Sequence, residues 1–170
     1  IVTCEHGGNR IPERYAALFE SGRSILETHR GYDRGALALA RRIAREFEAP
    51  LLAATTSRLL VDLNRSEGHP DLFSRFTKPL SDEEKERLLR LHYRPHRIRV
   101  EDAVRRALER RGRVVHIAVH TFTPRLRGVV READVGLLYD PRRAVERRLC
   151  LRWRELLEER LPRHRVRLNY

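Results

Sequence analysis

Short apolar runs alternate with amphipathic, helix-like stretches along the whole chain, and this alternation limits the allowed folds more than any other feature. Strands that are separated by helices and built from continuous apolar runs are typical of a mostly parallel sheet covered by helices on both faces. The pattern therefore predicts an α/β fold of three layers. Strands are predicted at residues 1–4, 50–55, 58–63, 114–120, 134–139 and 165–170, and helices at 13–20, 33–47, 81–111 and from 140 onward.

Two of these segments allow more detailed predictions. The run VVHIAVH at 114–120 is the richest in β-branched residues, which predicts that it is the central strand of the sheet. The helix at 81–111 begins with Ser-Asp-Glu-Glu, a capping box at Ser81. Pro95 lies inside this helix and is expected to bend or break it, because proline has no backbone N–H to donate.

The composition restricts the class of protein. The chain has 170 residues, the length of one domain spanning 1–170, and it begins with Ile and contains no Met, so we expect truncation at one or both ends. It has no apolar run long enough to cross a bilayer, so no membrane partner is predicted. Its two cysteines, Cys4 and Cys150, predict reduced thiols and a cytoplasmic location.

The charge of the chain is strongly positive, at +12, and arginine supplies nearly all of it because Lys78 and Lys85 are the only lysines. Such a bias is compatible with a basic nucleic-acid-binding module. In the predicted helices, however, the arginines alternate with glutamates at helical spacing, which is typical of a solvated surface. Nucleic-acid binding therefore stays an alternative that the pattern does not favour, and the oligomeric state is left open.

Histidines stand at the carboxyl ends of two predicted strands. His6 follows the first apolar run and precedes Gly7 and Gly8, and His120 ends the run at 114–120. Because parallel strands end at one edge of a sheet, the two imidazoles are expected to meet there and to bind a metal. The glycines are expected to let a substrate approach closely. The alternative for each histidine is a structural, hydrogen-bonded role.

The segment Asp-Leu-Asn-Arg at 62–65 follows a third predicted strand. Arg65 offers a planar fork that binds a carboxylate through two hydrogen bonds, and Asn64 adds a neutral donor. Arg58, at the start of the same run, supplies a second guanidinium. These residues predict a receptor for a carboxylate, although Asp and Asn are also common in simple turns. A metal beside such a receptor is typical of an enzyme acting on an acidic N-acyl amino acid.

Four motifs occur together in one order, namely CEHGGNRIP at 4–12, Asp-Arg-Gly-Ala at 33–36, SRLLVDLNR at 57–65 and IAVHTFTP at 117–124, and ADVGLLYD follows at 133–140. In these motifs the chain resembles the N-formylglutamate amidohydrolase family, which is in turn similar to zinc carboxypeptidases and aspartoacylase-type deacylases. The resemblance implies a zinc-exopeptidase-like fold, a single catalytic domain and a Zn²⁺ cofactor. It also implies hydrolysis of the N-acyl group of a small acidic N-acyl amino acid such as N-formyl-L-glutamate.

The resemblance also implies roles for individual residues. His6 and His120 match the two histidine zinc ligands of the wider superfamily. Asn64 and Arg65 match the residues that bind the substrate carboxylate. Arg58 resembles an additional arginine near the scissile group, where it would take part in catalysis as well as in substrate binding.

The third metal ligand departs from the superfamily pattern. A His-x-x-Glu motif would place glutamate at position 9, where this chain has Asn9, and an amide oxygen is a poor zinc ligand. Glu5 adjoins His6, but neighbouring residues of a strand point to opposite faces. Asp33 is therefore preferred as the third ligand or as a partner of the ligands, the alternative being that it only caps the following helix.

A general base is also required, to deliver the attacking water and to protonate the leaving amine. In the resembling enzymes this base is a glutamate late in the chain, at a position that would lie beyond Tyr170. Within the sequence, Glu5 is the first candidate and Glu132 is a second one. A deacylase or peptidase of the same fold that acts on another N-acyl amino acid remains an alternative function, whereas a serine hydrolase lacks its G-x-S-x-G motif. Cys4 is better explained as a small core residue than as a nucleophile.

Overall fold

The computed structural model describes residues 1–126 and 128–170, and it has an α/β architecture of helices and small, mostly parallel sheets. The chain divides into two compact units, Ile1–Phe122 and Thr123–Tyr170, which we call the first and the second unit. That residues 1–170 act as one catalytic domain stays a prediction. No helix of the described residues is both long enough and apolar enough to cross a membrane.

The first unit contains a parallel three-stranded sheet in the order β2-β1-β3. The strands are β1 (Val2–Cys4), β2 (Leu51–Ala53) and β3 (Ile117–Ala118), and Val2 is paired with Leu51 on one side and Ile117 on the other. The central strand is therefore β1, whose three residues are all buried. The prediction that residues 114–120 form the central strand is wrong, because this run lies at the edge and exposes Val115 and Ala118 to solvent.

Helix α2 (Ala36–Glu46) packs against the central strand through a stripe of small residues. Ala36, Ala40 and Ala44 are buried against Val2 and Cys4, so the helix approaches the sheet closely. The helix is shorter than the predicted 33–47, since Gly35 forms its N-terminal cap in the left-handed conformation, with φ of 82°. A 3₁₀ helix at Glu13–Gly22 and the one-turn helix α1 (Arg23–Leu26) precede it.

Residues 58–63 were predicted as a strand and are not one, because residues 58–60 form a turn. The backbone N–H of Leu60 donates to Ser57 and that of Asp62 donates to Leu72, so neither is available to a neighbouring strand. The run is apolar because Leu60 and Val61 fill two separate core clusters. The apolar side chains of this run are therefore buried although its backbone does not form a strand.

The predicted helix at 81–111 is present, and its irregularity lies close to Pro95. Helix α3 (Asp82–Leu88) is capped by Ser81, whose side chain accepts a hydrogen bond from the backbone of Glu84. A π-helical segment, Leu89–Tyr93, leads into helix α4 (Arg94–Arg111). A proline at position 95 cannot donate to the carbonyl of residue 91, and the wider π turn absorbs this missing hydrogen bond.

The second unit has its own small core. A two-stranded antiparallel pair is formed by β4 (Arg125–Leu126) and β5 (Val129–Val130). The parallel strands β6 (Val135–Leu137) and β7 (Val166–Leu168) are connected through helix α5 (Ala144–Arg160), in agreement with the elements predicted there. Leu137, Cys150 and Val166 form the buried centre of this unit.

Gly7 and Gly8, which follow His6, lie against the backbone of residues 54 and 55. The N–H of Gly7 donates to the carbonyl of Ala54, and a methyl group at Gly8 would lie 2.5 Å from the carbonyl oxygen of Thr55. The expectation that they open a path for substrate is therefore replaced by a packing role, because they let the segment after β1 lie against the segment after β2.

We predict that Gly8→Ala destabilises the first unit by about 1–3 kcal/mol, because the added methyl group meets backbone that cannot rotate away. Urea denaturation measures the change in the free energy of unfolding. The control is Gly112→Asn at the end of α4, where nothing lies within 4 Å of an added Cβ and asparagine tolerates the left-handed conformation. Equal stability of Gly8→Ala and the parent protein would contradict this account.

Candidate metal centre

Three side chains from three different parts of the first unit converge at the carboxyl edge of the sheet. His6 lies just after β1 and His120 just after β3, and these strands are held in parallel register. Asp33 lies in the loop before α2, and its backbone N–H donates to the carbonyl of His6 at 2.9 Å. That hydrogen bond fixes the loop beside the strand end and brings the carboxylate to the two imidazoles.

The distances within this group suit a metal ion. Nδ1 of His6 lies 3.5 Å, and Nδ1 of His120 lies 2.9 Å, from the same Oδ2 atom of Asp33. One ligand atom from each of the three residues lies within 4.8 Å of the others. Ligands on a tetrahedral zinc ion, with bonds of about 2.0 Å, are separated by about 3.3 Å. The three residues could therefore hold a metal ion with only small movements.

The second ring nitrogen of His6 is held by Asp62. Nε2 of His6 donates to Oδ1 of Asp62 at 2.7 Å, and the backbone N–H of Asn64 donates to the same oxygen. Arg58 binds the other oxygen, Oδ2, at 2.9 Å. A carboxylate that accepts the distal N–H of a histidine is the usual support of a metal-binding imidazole. Sequence reasoning missed this role of Asp62, and its signal was a carboxylate inside an otherwise apolar run.

Asp33 is not the cap of α2, because Gly35 occupies that position. The carboxylate of Asp33 is instead turned toward the sheet edge. Its second oxygen, Oδ1, has contacts at 3.5 Å with Nη1 of Arg58 and with Nε2 of His29. These contacts leave Oδ2 as the oxygen that faces both imidazoles. His29 stands four residues before Asp33 in the chain and contacts its carboxylate from that position.

Glu5 faces the other side of β1 from His6, as alternation along a strand requires. Its carboxylate lies 3.4 Å from Nε2 of His120 and 3.9 Å from Nε2 of His96, which is on α4. Glu5 and His96 are both buried. The structure thus places Glu5 beside the second nitrogen of His120, whereas Asp33 faces the first.

The electrostatics of the site favour bound positive charge. Burial alone would raise the pKa of Asp62, but its contacts with His6 and Arg58 outweigh burial and lower that pKa to about 2. Burial is likewise outweighed at Glu5, whose pKa falls to about 2 through contacts with His96 and Thr3, and at Asp33, whose pKa is lowered by the two histidines. Among the described residues in contact here, three ionised carboxylates and the guanidinium of Arg58 leave two negative charges when the histidines are neutral, which match a divalent cation.

Comparisons with known proteins identify the family of this chain. The family model for N-formylglutamate amidohydrolase matches residues 1–170. The chain belongs to the N-formylglutamate amidohydrolase family. Among solved structures, the crystal structure of gene product Atu2144 from Agrobacterium tumefaciens is similar, with a TM-score of 0.83 and 29% identity over 99% of this chain and 68% of that chain. No curated protein matches the chain.

In this member of the amidohydrolase family, position 9 is asparagine, where a His-x-x-Glu motif would have glutamate. Nδ2 of Asn9 donates to Oε1 of Glu27 at 2.8 Å, so Asn9 is engaged outside the group formed by His6, Asp33 and His120. The carboxylate within that group is Asp33, and its role as third metal ligand stays a prediction. Cys4 is fully buried, and burial raises the pKa of its thiol to about 11, which does not suit a nucleophile.

The residues expected to bind the substrate carboxylate lie on the same loop as Asp62. Asn64 and Arg65 are exposed, and the carbonyl of Arg65 accepts a hydrogen bond from the hydroxyl of Tyr93 at 2.7 Å. The loop is thus anchored to the helical segment before α4 through its backbone, with both side chains on the surface. Arg58 differs, because its guanidinium is partly buried and paired with Asp62 and Asp33.

We predict that Asp62→Asn destabilises the metal-free protein near neutral pH by about 2 kcal/mol, and that this difference shrinks in acid. The folded pKa of Asp62, about 2, is below its ordinary value of 3.8. Its stabilising effect is therefore complete above that ordinary value and is lost as the pH falls toward 2.

Urea denaturation between pH 6 and pH 3, with a chelator present, measures this difference. The control is Asp82→Asn in the first turn of α3, where the side chain is exposed and the loss should be small at every pH. A penalty for Asp62→Asn that does not change with pH would count against an ionised carboxylate at this position.

Proposed function

We propose that this member of the amidohydrolase family is a zinc-dependent enzyme that removes the N-acyl group from an acidic N-acyl amino acid, with N-formyl-L-glutamate as the nearest case. The observation that carries the proposal is the convergence of His6, Asp33 and His120 on one point, with both Nδ1 atoms facing the same carboxylate oxygen. Two imidazoles and one carboxylate form a ligand set that suits catalytic zinc.

The donor set fits such an ion for a second reason. Nδ1 of His6 is buried and makes no hydrogen bond with any described residue, although its partner nitrogen Nε2 is bound to Asp62. A buried polar atom without a hydrogen bond is costly, and a metal ion satisfies it. In the proposal His6, Asp33 and His120 hold the ion, which when bound acidifies a water molecule and polarises the acyl carbonyl.

The surrounding residues orient this group. Asp62 keeps the proton of His6 on Nε2, so that Nδ1 presents its lone pair to the ion. Arg58 spans Asp62 and Asp33 and fixes both carboxylates. In the proposal the partly exposed guanidinium of Arg58 also donates a hydrogen bond to the scissile acyl group, where negative charge develops during hydrolysis.

Asn64 and Arg65 receive the α-carboxylate of the substrate in this proposal. Their exposure and their position two and three residues after Asp62 support this role, because a substrate held there reaches toward the carboxylates that orient the metal ligands. A guanidinium and an amide together recognise a carboxylate through several donors. Glu5, the predicted general base, is buried beside Nε2 of His120, so the proposal gives it no contact with the substrate.

The finer features implied by the resemblance belong to the same proposal. They are a zinc-exopeptidase-like fold, a single catalytic domain over residues 1–170 and a cytoplasmic location. Cys4 and Cys150 are both free cysteines, which is compatible with that location. A deacylase or peptidase acting on another N-acyl amino acid is the alternative function. Hydrolysis of a panel of N-acyl amino acids with different side chains distinguishes it.

We predict that the purified protein binds about one Zn²⁺ per chain, and that His6→Ala or His120→Ala reduces this content to a small fraction, because three protein ligands are needed for tight binding. Elemental analysis after dialysis against a metal-free buffer measures the content. The matched control is His164→Ala, an exposed histidine of the second unit. Zinc content that is unchanged in both site variants would refute the proposed centre.

We predict that Arg65→Ala lowers kcat/KM for N-formyl-L-glutamate about 10- to 100-fold, since a hydrogen bond to a charged group contributes about 1.5–3 kcal/mol. The same variant should have little effect on the α-carboxamide analogue, which lacks the negative charge. Arg113→Ala, at an exposed position after α4, serves as the control for the loss of one positive charge. Equal losses on both substrates would place the carboxylate elsewhere.

A further inference from the structure

His96 is a buried histidine that the proposed chemistry does not use. It lies in the first turn of α4, its side chain is only 7% exposed, and its Nε2 atom makes no hydrogen bond with a described residue. That nitrogen points to Oε1 of Glu5, 3.9 Å away. A buried ring nitrogen directed at a buried carboxylate calls for a function, because leaving both groups without a partner is costly.

Glu5 connects this histidine to the candidate metal centre. One carboxylate oxygen faces His96 and the other, Oε2, faces Nε2 of His120 at 3.4 Å. Thr3, on the same face of β1, is hydrogen-bonded to His116 at 2.9 Å and also contacts Glu5. Glu5 therefore has a histidine on each side, one from the strand end that carries the metal ligand and one from helix α4.

His120 needs such a neighbour more than His6 does. It follows a strand of only two residues at the edge of the sheet, and its side chain is 30% exposed, against 1% for His6. Metal binding through Nδ1 requires the ring proton to be on Nε2, and an acceptor at Nε2 fixes both this tautomer and the ring orientation. Glu5 is the carboxylate in that position.

We propose that His96 is a positioning residue of the metal centre, acting through Glu5 on His120, so that helix α4 takes part in holding a metal ligand. This inference rests on the proposed function, because it assumes that His120 binds zinc. It gives Asp62 and Glu5 parallel roles, the first at Nε2 of His6 and the second at Nε2 of His120. His96 corresponds in position to Arg58, since each lies on the other side of the carboxylate, Arg58 at 2.9 Å from Asp62 and His96 at 3.9 Å from Glu5.

The test compares His96→Leu, which keeps the volume and removes the donor, with His96→Gln, which keeps an N–H donor. A cavity of about 180 Å³ beside His96 gives the glutamine room to turn. The Kd for Zn²⁺ is measured by competition with a chelator. We expect His96→Leu to weaken Zn²⁺ binding about 10-fold, as for other partners of metal ligands, and His96→Gln to stay within about 3-fold of the parent protein.

The control is His92→Leu, since His92 lines the same cavity from the preceding turn but is not paired with Glu5. A double-mutant cycle with Glu5→Gln tests whether His96 acts through Glu5. In the Glu5→Gln background, His96→Leu should weaken Zn²⁺ binding by less than about 2-fold. A ¹H–¹⁵N correlation spectrum of the histidine rings in the zinc-loaded protein gives an independent readout. The Nε2 resonance of His120 should shift in His96→Leu and remain in place in His92→Leu.

The outcomes separate this inference from the proposed function. If the parent protein binds no Zn²⁺, both are overturned. If the parent binds Zn²⁺ and His96→Leu binds it equally well with an unchanged His120 resonance, only the inference is overturned. Losses that add fully in the double variant also overturn it, since they exclude action through Glu5. If His96→Leu does not fold, as judged by circular dichroism, His96→Ala is measured in its place by the same criteria.

Discussion

The first unit depends on one buried contact between two groups that repel each other unless positive charge lies between them. Nε2 of His6 donates a hydrogen bond to Asp62, so the neutral ring presents a lone pair at Nδ1, and this lone pair faces a carboxylate oxygen of Asp33 at 3.5 Å. Either a proton on His6 or a metal ion resolves the repulsion. The raised pKa of His6, where the two aspartates outweigh burial, describes the first solution, and zinc binding would be the second.

The backbone brings His6, Asp33 and His120 to one edge of the sheet. Parallel pairing of β1 with β3 brings the residues after both strands to one edge, and the hydrogen bond from the backbone of Asp33 to His6 adds the loop before α2. Close packing of the segments after β1 and β2 requires glycine at positions 7 and 8. The sequence feature that resembled a substrate entrance is thus what allows the sheet edge to close, and the polar side chains are arranged around that closed edge.

Sequence reasoning predicted His6, Asp33 and His120, which the structure brings together, because chemically active side chains after apolar runs stand out in a chain. It failed at residues 58–63, since apolar character reports burial and cannot distinguish a strand from a buried turn. It also missed the pairs His6–Asp62 and Glu5–His96, which are separated by 56 and 91 residues. Which carboxylate turns toward which histidine depends on the loop before α2 and on the π segment before α4, and periodicity does not report either.

A metal held through Asp33, rather than through a glutamate at position 9, would stabilise the fold in a different way. In a His-x-x-Glu motif, two metal ligands come from one short segment. Metal binding would then order only that segment and the strand that carries His120. With Asp33 as the carboxylate, the three ligands come from the end of β1, the loop before α2 and the end of β3. An ion bound to all three links three elements that unfold together, so its binding free energy adds to the stability of the whole first unit. Asn9 is then free to bind Glu27 and to tie the segment after the glycines to the loop after α1.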